Sequence, residues 1–172
     1  MLAWHSLKVH SGNQAAIVNG CRPTKEESVW RELLRRWSPE ASFGQPASPD
    51  RLHQVEAALG VGLPTELAGV LLECDGVSGS DGLGLIWPSA RISADNLALR
   101  ANAALAERYM PFDPLLFFAD AGNGDQFALV ITAGKIRRPD VFAWDHEDDS
   151  RKWVAPSLAK YLEWWLSGDL KL

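Results

Sequence analysis

Hydrophobic side chains in the first half of the chain recur at the spacing of an α-helix. The first stretch predicts a helix that begins at the capping residue Thr24 and ends before Pro39. Further helices are predicted over 48–60 and 63–75, because Ser-Pro and Leu-Pro suit helix starts and glycine suits the ends. The apolar stripes of these three helices are Val29, Trp30, Leu33, Leu34 and Trp37; Leu52, Val55 and Leu59; and Leu67, Val70, Leu71 and Cys74.

The pattern changes in the second half, where short apolar runs predict strands. Residues 115–119 (LLFFA) form a continuous apolar run of the kind found in central strands, and 126–131 (QFALVI) follows after a turn. That turn contains Asn123-Gly124, a strong signal for a β-hairpin, so we expect a tight turn there and not a calcium loop. Shorter strands are predicted over 85–87 and 141–144.

Two more helices and two irregular segments complete the predicted arrangement. The helices cover 93–109, with weak amphipathic character, and 156–168, which proline opens and glycine closes. Residues 38–49 have the composition of a linker, and the glycine-rich residues 76–84 that of a flexible loop. Helices gathered outside strands that short turns connect predict an α+β fold, with a mixed or mainly antiparallel sheet flanked by helices.

Composition and length indicate one globular domain. The 172 residues are 47% hydrophobic and 23% charged, which argues against disorder. We expect residues 1–22 to be a loosely ordered lead and 23–172 a single domain. The two cysteines, Cys21 and Cys74, are too few and too far apart for a disulfide scaffold or a CxxC site, so both are expected to be reduced. Without a signal-peptide pattern or a long apolar segment, we expect a cytoplasmic protein with no membrane contact.

Charge is distributed unevenly along the chain. Residues 113–149 carry eight acidic and three basic side chains, and their net charge of −5 equals that of the whole protein. A net negative charge argues against direct binding of nucleic acid. If the turns meet at one rim of the sheet, their acids would attract a basic partner. Equally, they could be no more than solvated turn residues. The acids concerned are Asp120, Asp125, Asp145, Glu147, Asp148 and Asp149.

The chain contains eight tryptophans, so aromatic side chains are a second candidate for contact with a partner. Trp144, with Trp30, Trp37 and Trp165, fits a core-facing position in the predicted elements. Trp164 and Trp165 are neighbours and cannot share one helix face, so either Trp164 or Trp153 is expected to be exposed. Tryptophan is enriched at binding hot spots, and Trp144 or Trp153 is therefore a candidate anchor for a partner.

Catalytic and metal chemistry have little support in the sequence. His146 lies in an acidic run, and with Asp125 or Glu147 it could serve a hydrolase as a general base. No nucleophile pattern or metal-ligand spacing accompanies it, so the sequence predicts no enzyme, no metal and no cofactor.

An ordered set of local features is similar to that of the SUKH superfamily. The matching features are Leu63-Pro64 with Leu67, Leu71 and Asp75-Gly76; Pro114 to Ala119; Gly124 to Phe127; Val141 to Glu147; and Ser157-Leu158 with Tyr161-Leu162. The superfamily includes fungal Smi/Knr-type cell-wall assembly regulator domains and many bacterial immunity proteins. The resemblance covers most of the chain and departs from the family pattern in residues 1–22 and 76–84.

The resemblance implies a SUKH-like α+β domain that binds a protein and catalyses nothing. The first function it suggests is an immunity protein that neutralises a cognate toxin, often a nuclease, through the acidic turns. The alternative is a regulatory or scaffolding domain with an endogenous protein partner, and no residue in the sequence separates the two. We expect a monomer or a weak homodimer.

Overall fold

The structure is a computed structural model that describes residues 29–172. The predicted lead at 1–22, the helix start at Thr24 and Cys21 lie outside the described residues. In chain order the elements are α1 (Val29–Trp37), β1 (Ser42–Phe43), α2 (Pro49–Leu59), α3 (Thr65–Glu73), β2 (Val77–Ser78), β3 (Gly84–Ile86), α4 (Ser89–Ala101), α5 (Ala103–Ala106), β4 (Leu115–Asp120), β5 (Gln126–Thr132), β6 (Lys135–Trp144), β7 (Arg151–Ala155) and α6 (Leu158–Ser167). Within this part of the chain, no helix has the length and apolar character needed to cross a membrane.

Helices α2 and α6 confirm the predictions made from local capping signals. The side chain of Ser48 accepts a hydrogen bond from the backbone nitrogen of Arg51 at 3.2 Å, and Gly60 ends α2 in the left-handed conformation at φ +66°. Ser157 and Gly168 do the same for α6. These caps satisfy backbone groups that the helix itself leaves unpaired, so a few adjacent residues are enough to define each end.

The strands form two antiparallel sheets. The larger sheet is a meander in the order β4-β5-β6-β7, and the smaller one has the order β1-β2-β3. The backbone nitrogen of Trp87, just after β3, donates to the carbonyl of Phe118 in β4 at 2.7 Å and joins the two sheets. With the six helices of residues 29–172, this arrangement confirms the predicted α+β class, and both sheets are antiparallel throughout.

The hydrophobic core uses both faces of the larger sheet. Phe117 and Phe118 are consecutive residues of β4, so their side chains lie on opposite faces. Phe118 contacts Tyr161 of α6 edge-on, with ring centroids 5.4 Å apart. Phe117 contacts Phe112 and Trp144 on the other face. Cys74 is also fully buried in the core, and burial raises the pKa of its thiol to about 11, as expected for an unreactive cysteine.

The predicted helix over 93–109 is wrong in its extent. Two helices are present: α4 begins at Ser89, and α5 begins after Asn102, whose side chain accepts from the backbone nitrogens of Ala104 and Leu105. The start of α4 is capped from a distance, because the carboxylate of Asp75 accepts from the backbone nitrogen of Ser89 and also from its hydroxyl, the latter at 2.8 Å. A cap supplied by a residue 14 positions away leaves no local pattern at the helix start.

Several short or exposed strands also differ from the sequence prediction. The predicted linker over 38–49 contains β1, and the predicted flexible loop over 76–84 contains β2. β6 begins at Lys135, well before the predicted 141–144, and β7 was not predicted at all. Strands of two residues have no measurable periodicity, and the charged residues of β6 and β7 mask the alternation on which strand prediction depends.

Candidate functional site

The antiparallel meander brings two turns to the same edge of the larger sheet. Residues 121–125 connect β4 to β5, and residues 145–150 connect β6 to β7. In a meander, every second turn lies at the same end, so the acids predicted at these turns share one edge. We call this the acidic edge; its members are Asp120, Asp125, Asp145, Glu147, Asp148 and Asp149. The partner-binding role of these residues stays a prediction.

Asp120 is occupied by contacts inside the molecule. Its carboxylate accepts from the Arg91 guanidinium at 2.7 and 2.9 Å and from the Trp87 indole nitrogen at 2.8 Å. The guanidinium also stacks on the Trp87 ring, 4.0 Å from its centroid. This arrangement links α4 to the end of β4 and neutralises the charge of Asp120. Asp120 therefore stabilises the fold, and its paired charge offers little attraction to a partner.

Asp125 and His146 hold the two turns together. Oδ1 of Asp125 lies 2.7 Å from Nδ1 of His146 and 3.1 Å from its backbone nitrogen. Gly124 has a positive φ of 106°, and a Cβ atom at this residue would lie 2.9 Å from the His146 ring, so the close approach requires glycine. Asp125 is only 7% exposed. The pair is thus a structural bridge beneath the acidic edge.

The pKa values of this pair move apart, as expected for a hydrogen-bonded ion pair. The hydrogen bond to Asp125 raises the pKa of His146, and the charges of Asp125, Glu147 and Asp145 add to the effect. Burial opposes ionisation of Asp125, but hydrogen bonds from His146 and Asn123 outweigh it and lower the pKa of Asp125. The folded protein therefore holds the imidazole proton of His146 more tightly than the unfolded chain does.

We expect stability to fall as His146 loses its proton. A pKa raised in the folded state gives a stabilisation that is complete below the unfolded value of about 6.5 and is lost as pH rises through the higher folded value. The urea midpoint of the protein should therefore decrease as the pH rises above about 6.5, and the His146→Gln variant should lose this decrease. The exposed His53 provides the matched control, since His53→Gln should leave the decrease unchanged. An identical pH profile for protein and His146→Gln would show that the pair contributes nothing.

Two other acids of the edge fix the shape of the second turn. Asp149 accepts from the indole nitrogen of Trp144 and from the backbone nitrogen of Met110, both at 2.7 Å. Asp145 accepts from the backbone nitrogen of Glu147 at 2.9 Å and lies 3.6 Å from the Lys152 ammonium. Both carboxylates are engaged within the molecule.

Glu147 and Asp148 remain as the free acids of the edge. Both are exposed, and within residues 29–172 neither forms an ion pair. Asp148 accepts from the backbone nitrogen of Ser150 at 2.8 Å, and hydrogen bonding by Ser150 lowers the pKa of Asp148. Two carboxylates therefore face solvent at the tip of an ordered turn.

The two candidate tryptophan anchors have different environments. Trp144 is 6% exposed and packs edge-on against Tyr109 and Phe112, so a partner cannot reach its ring while the core stays packed. Trp153 is 51% exposed on β7. Trp164, the other tryptophan considered for exposure, is partly buried against the core. Of the predicted anchors, Trp153 alone offers its ring to a partner.

Three side chains of the acidic edge region have the kind of donor atoms that bind metal ions. The carboxylates of Asp125 and Asp145 and the imidazole of His146 place one potential ligand atom each within 4.8 Å of one another. The hydrogen bond between His146 and Asp125 accounts for the closeness of those two groups without a cation, and the carboxylate of Asp145 lies 3.6 Å from the Lys152 ammonium. The predicted absence of a metal stays a prediction.

Sequence reasoning missed a groove on the solvent side of β5, β6 and β7. Its floor consists of Val130, Phe142 and Trp153, and its rim includes Thr132, Arg137, Arg138 and Asp140, around a volume of about 380 Å³. We call this the strand groove. The sequence indicates Trp153 as a candidate anchor, but the residues beside it in the groove, Val130 and Phe142, belong to β5 and β6 and are distant in the chain. Only the register between the strands reveals the groove.

The fold and the site define an α+β domain with a charged edge. The family model described as SMI1-KNR4 cell-wall matches residues 49–162, more than half of the chain. The chain therefore belongs to the SMI1-KNR4 family of the SUKH superfamily, which confirms the resemblance found in the sequence. At the level of the family, it is a protein-binding domain of the immunity or regulatory kind. No curated protein matches the chain.

Proposed function

We propose that this protein is a non-enzymatic immunity protein that binds a cognate toxin in the cytoplasm and neutralises it through the acidic edge. The observation that carries the proposal is the pair Glu147 and Asp148, exposed and without an ion-pair partner in the described chain, on a turn held in place by its neighbours. A nuclease toxin binds phosphates and so has a basic substrate cleft. An acidic turn that covers this cleft would block access of the substrate.

The rigidity of the turn supports this mechanism. The backbone nitrogen of Asp149 donates to the carbonyl of Asp145 at 3.0 Å, and that of Asp145 donates to Ser150 at 2.9 Å. The Tyr109 hydroxyl also donates to the carbonyl of His146 at 2.8 Å. Because these contacts order the turn before binding, a partner would lose little entropy in fixing it.

The proposal gives His146 a structural role in place of a catalytic one. Its backbone nitrogen and Nδ1 both contact Asp125, and its carbonyl accepts from Tyr109. A general base needs a nitrogen directed at the proton that it removes. The Nδ1 atom of His146 is directed at the carboxylate that joins the two turns, which leaves Nε2 as the ring nitrogen available to act as a base. The proposal that His146 is not catalytic therefore rests on the sequence, where no nucleophile pattern accompanies it.

Co-expression tests the proposed function. The full chain should be purified with the product of the neighbouring gene, and it should restore growth of cells that express that product. Formation of a salt-sensitive complex together with restored growth would support immunity. If the chain instead captures an endogenous protein and never suppresses toxicity, the regulatory or scaffolding alternative replaces the proposal.

Charge reversal tests the acidic edge itself. The double variant Glu147→Lys, Asp148→Lys should slow association with the toxin about tenfold at low salt and affect dissociation much less, because rim charges act mainly on encounter. Stopped-flow or surface plasmon resonance at two salt concentrations would measure both rates.

A control with the same change in net charge isolates the position of the acids. Glu32 and Glu40 are exposed on and just after α1, so Glu32→Lys, Glu40→Lys alters the total charge equally. If this control slows association as much as the edge variant does, overall charge and not the acidic edge guides the encounter, and the proposed binding surface is wrong.

A further inference from the structure

The strand groove lies near the opposite end of the sheet from the acidic edge. The β5–β6 turn at residues 133–134 points away from the turns at 121–125 and 145–150. Residues Thr132, Arg137 and Arg138 of the groove adjoin this opposite turn. The groove is therefore a separate surface, and its role is independent of the proposed toxin contact.

Apolar side chains form the floor of the groove because the larger sheet is only partly covered on this face. Phe142 is paired in register with Trp153 on one side and with Ala128 on the other. Helix α4 packs mainly against β4, the strand at the far edge of the sheet. An exposed tryptophan beside a phenylalanine and a valine is a large apolar surface to leave in water.

The Trp153 ring is held in place before any partner arrives. Its indole nitrogen donates to Oδ1 of Asp140 at 2.9 Å, while Nε of Arg138 donates to Oδ2 of the same carboxylate at 2.7 Å. Both oxygens of Asp140 are thereby engaged. Tryptophan and arginine are both enriched among the residues that supply most of the binding energy at protein interfaces.

The groove carries a net positive charge that contacts inside the molecule only partly neutralise. The terminal nitrogens of the Arg138 guanidinium lie on a side chain that is 82% exposed, and Arg137 forms no ion pair within the described residues. Among the described residues that line the groove, Asp140 is the one acid. A partner with complementary charge would therefore present acidic side chains to this groove.

We propose that the strand groove binds a short acidic segment of a partner protein, with one aliphatic or aromatic side chain seated against Trp153 and Phe142 and with carboxylates facing Arg137 and Arg138. The apolar floor selects the anchor, and the basic rim selects the acidic residues on either side of it. This partner is distinct from the basic toxin proposed for the acidic edge. The same molecule would thus present one acidic and one basic docking surface.

Selection from a displayed library of random short peptides, with the full chain immobilised, tests this inference. We expect enriched peptides to contain aspartate or glutamate around an apolar residue. A synthetic peptide made from the most enriched sequence should bind at least about tenfold more weakly to Arg137→Glu and to Trp153→Ala, which each remove one of the two recognition elements. Fluorescence anisotropy with a labelled peptide measures the affinity.

Two control variants and a test of folding show whether the loss of peptide binding is specific to the groove. Arg36→Glu changes the charge by the same amount on α1, and Met110→Ala removes another apolar side chain of similar exposure, at 54% against 51% for Trp153. Both controls should bind the peptide as the unchanged protein does. Trp153 is half exposed, so Trp153→Ala should still fold, and circular dichroism checks this.

Several outcomes would overturn the inference. These are enrichment of peptides without acids, no enrichment, or peptide binding by Arg137→Glu and Trp153→Ala that is as tight as that of the unchanged protein. A dimer in sedimentation analysis that Trp153→Ala dissociates would show that a second copy of the chain covers the groove instead. Displacement of the bound peptide by a single-stranded oligonucleotide, with dependence on Arg137, would indicate a nucleic-acid surface.

Discussion

Replacing Trp87 by alanine should lower the free energy of unfolding by about 4 kcal/mol, the largest loss expected for any single side chain considered in this protein. Trp87 is fully buried and lies where the smaller sheet meets β4. Its removal leaves a large cavity, takes away a hydrogen-bond donor to Asp120 and removes the ring on which Arg91 stacks. Urea unfolding followed by circular dichroism would measure the loss.

The conservative variant separates packing from hydrogen bonding at the same position. Trp87→Phe keeps most of the apolar volume but removes the indole nitrogen, so we expect a loss of about 1–2 kcal/mol. Asp120 should stay paired with Arg91 in this variant, because two of its hydrogen bonds come from the guanidinium. If the alanine and phenylalanine variants unfold at the same urea concentration, Trp87 does not fill the core as the structure indicates.

The elements that sequence predicted well are those whose signals are local. Helix α2 has its cap, its proline and its closing glycine within the residues 48–60. The β4–β5 hairpin follows from two apolar runs around Asn123-Gly124, and Gly124 does adopt a positive φ. In these cases the residues that determine the conformation are adjacent in the chain, so no knowledge of the fold is needed.

The elements that sequence missed depend on distant partners. Strand β1 exists because its neighbour β2 lies beside it, and the backbone nitrogen of Gly44 donates to the carbonyl of Gly76 at 2.9 Å. A Cβ atom on Gly44 would collide with the backbone oxygen of Asp75, so this approach also requires glycine. Nothing near residue 44 in the sequence indicates that a second segment will pass so close.

The candidate site also combines features that follow from the local sequence with features that depend on distant contacts. Sequence located every acid of the acidic edge in or beside a turn, and the meander places those turns together. Which carboxylates stay free depends on partners far away in the chain: Arg91 for Asp120, and the backbone of Met110 for Asp149. Glu147 and Asp148 differ from their neighbours only in lacking such partners within the described chain, and no spacing rule could have singled them out.

Asn96→Ala should cost about 3 kcal/mol, although the substitution removes only a small side chain. Asn96 is 1% exposed, and its amide nitrogen donates to the carbonyls of Ile92 and Phe117, each at 2.8 Å. Its amide oxygen accepts from the backbone nitrogen of Phe117 at 2.9 Å. In this way one side chain of α4 satisfies both backbone groups of a residue at the irregular point of β4, where the register with β5 shifts.

The loss arises because alanine leaves both backbone groups of Phe117 buried and unpaired, and each such group costs about 1–3 kcal/mol. Urea unfolding measures the total, and hydrogen exchange should show faster exchange of the Phe117 amide than of its neighbours in β4. Asn102→Ala is the matched control: Asn102 is exposed and only caps α5, so its replacement should cost about 1 kcal/mol. Equal losses for the two variants would mean that water reaches Phe117, and that α4 does not seal this edge of the sheet. A threefold larger loss for Asn96→Ala would instead identify the Asn96 amide as the contact that replaces a neighbouring strand along β4.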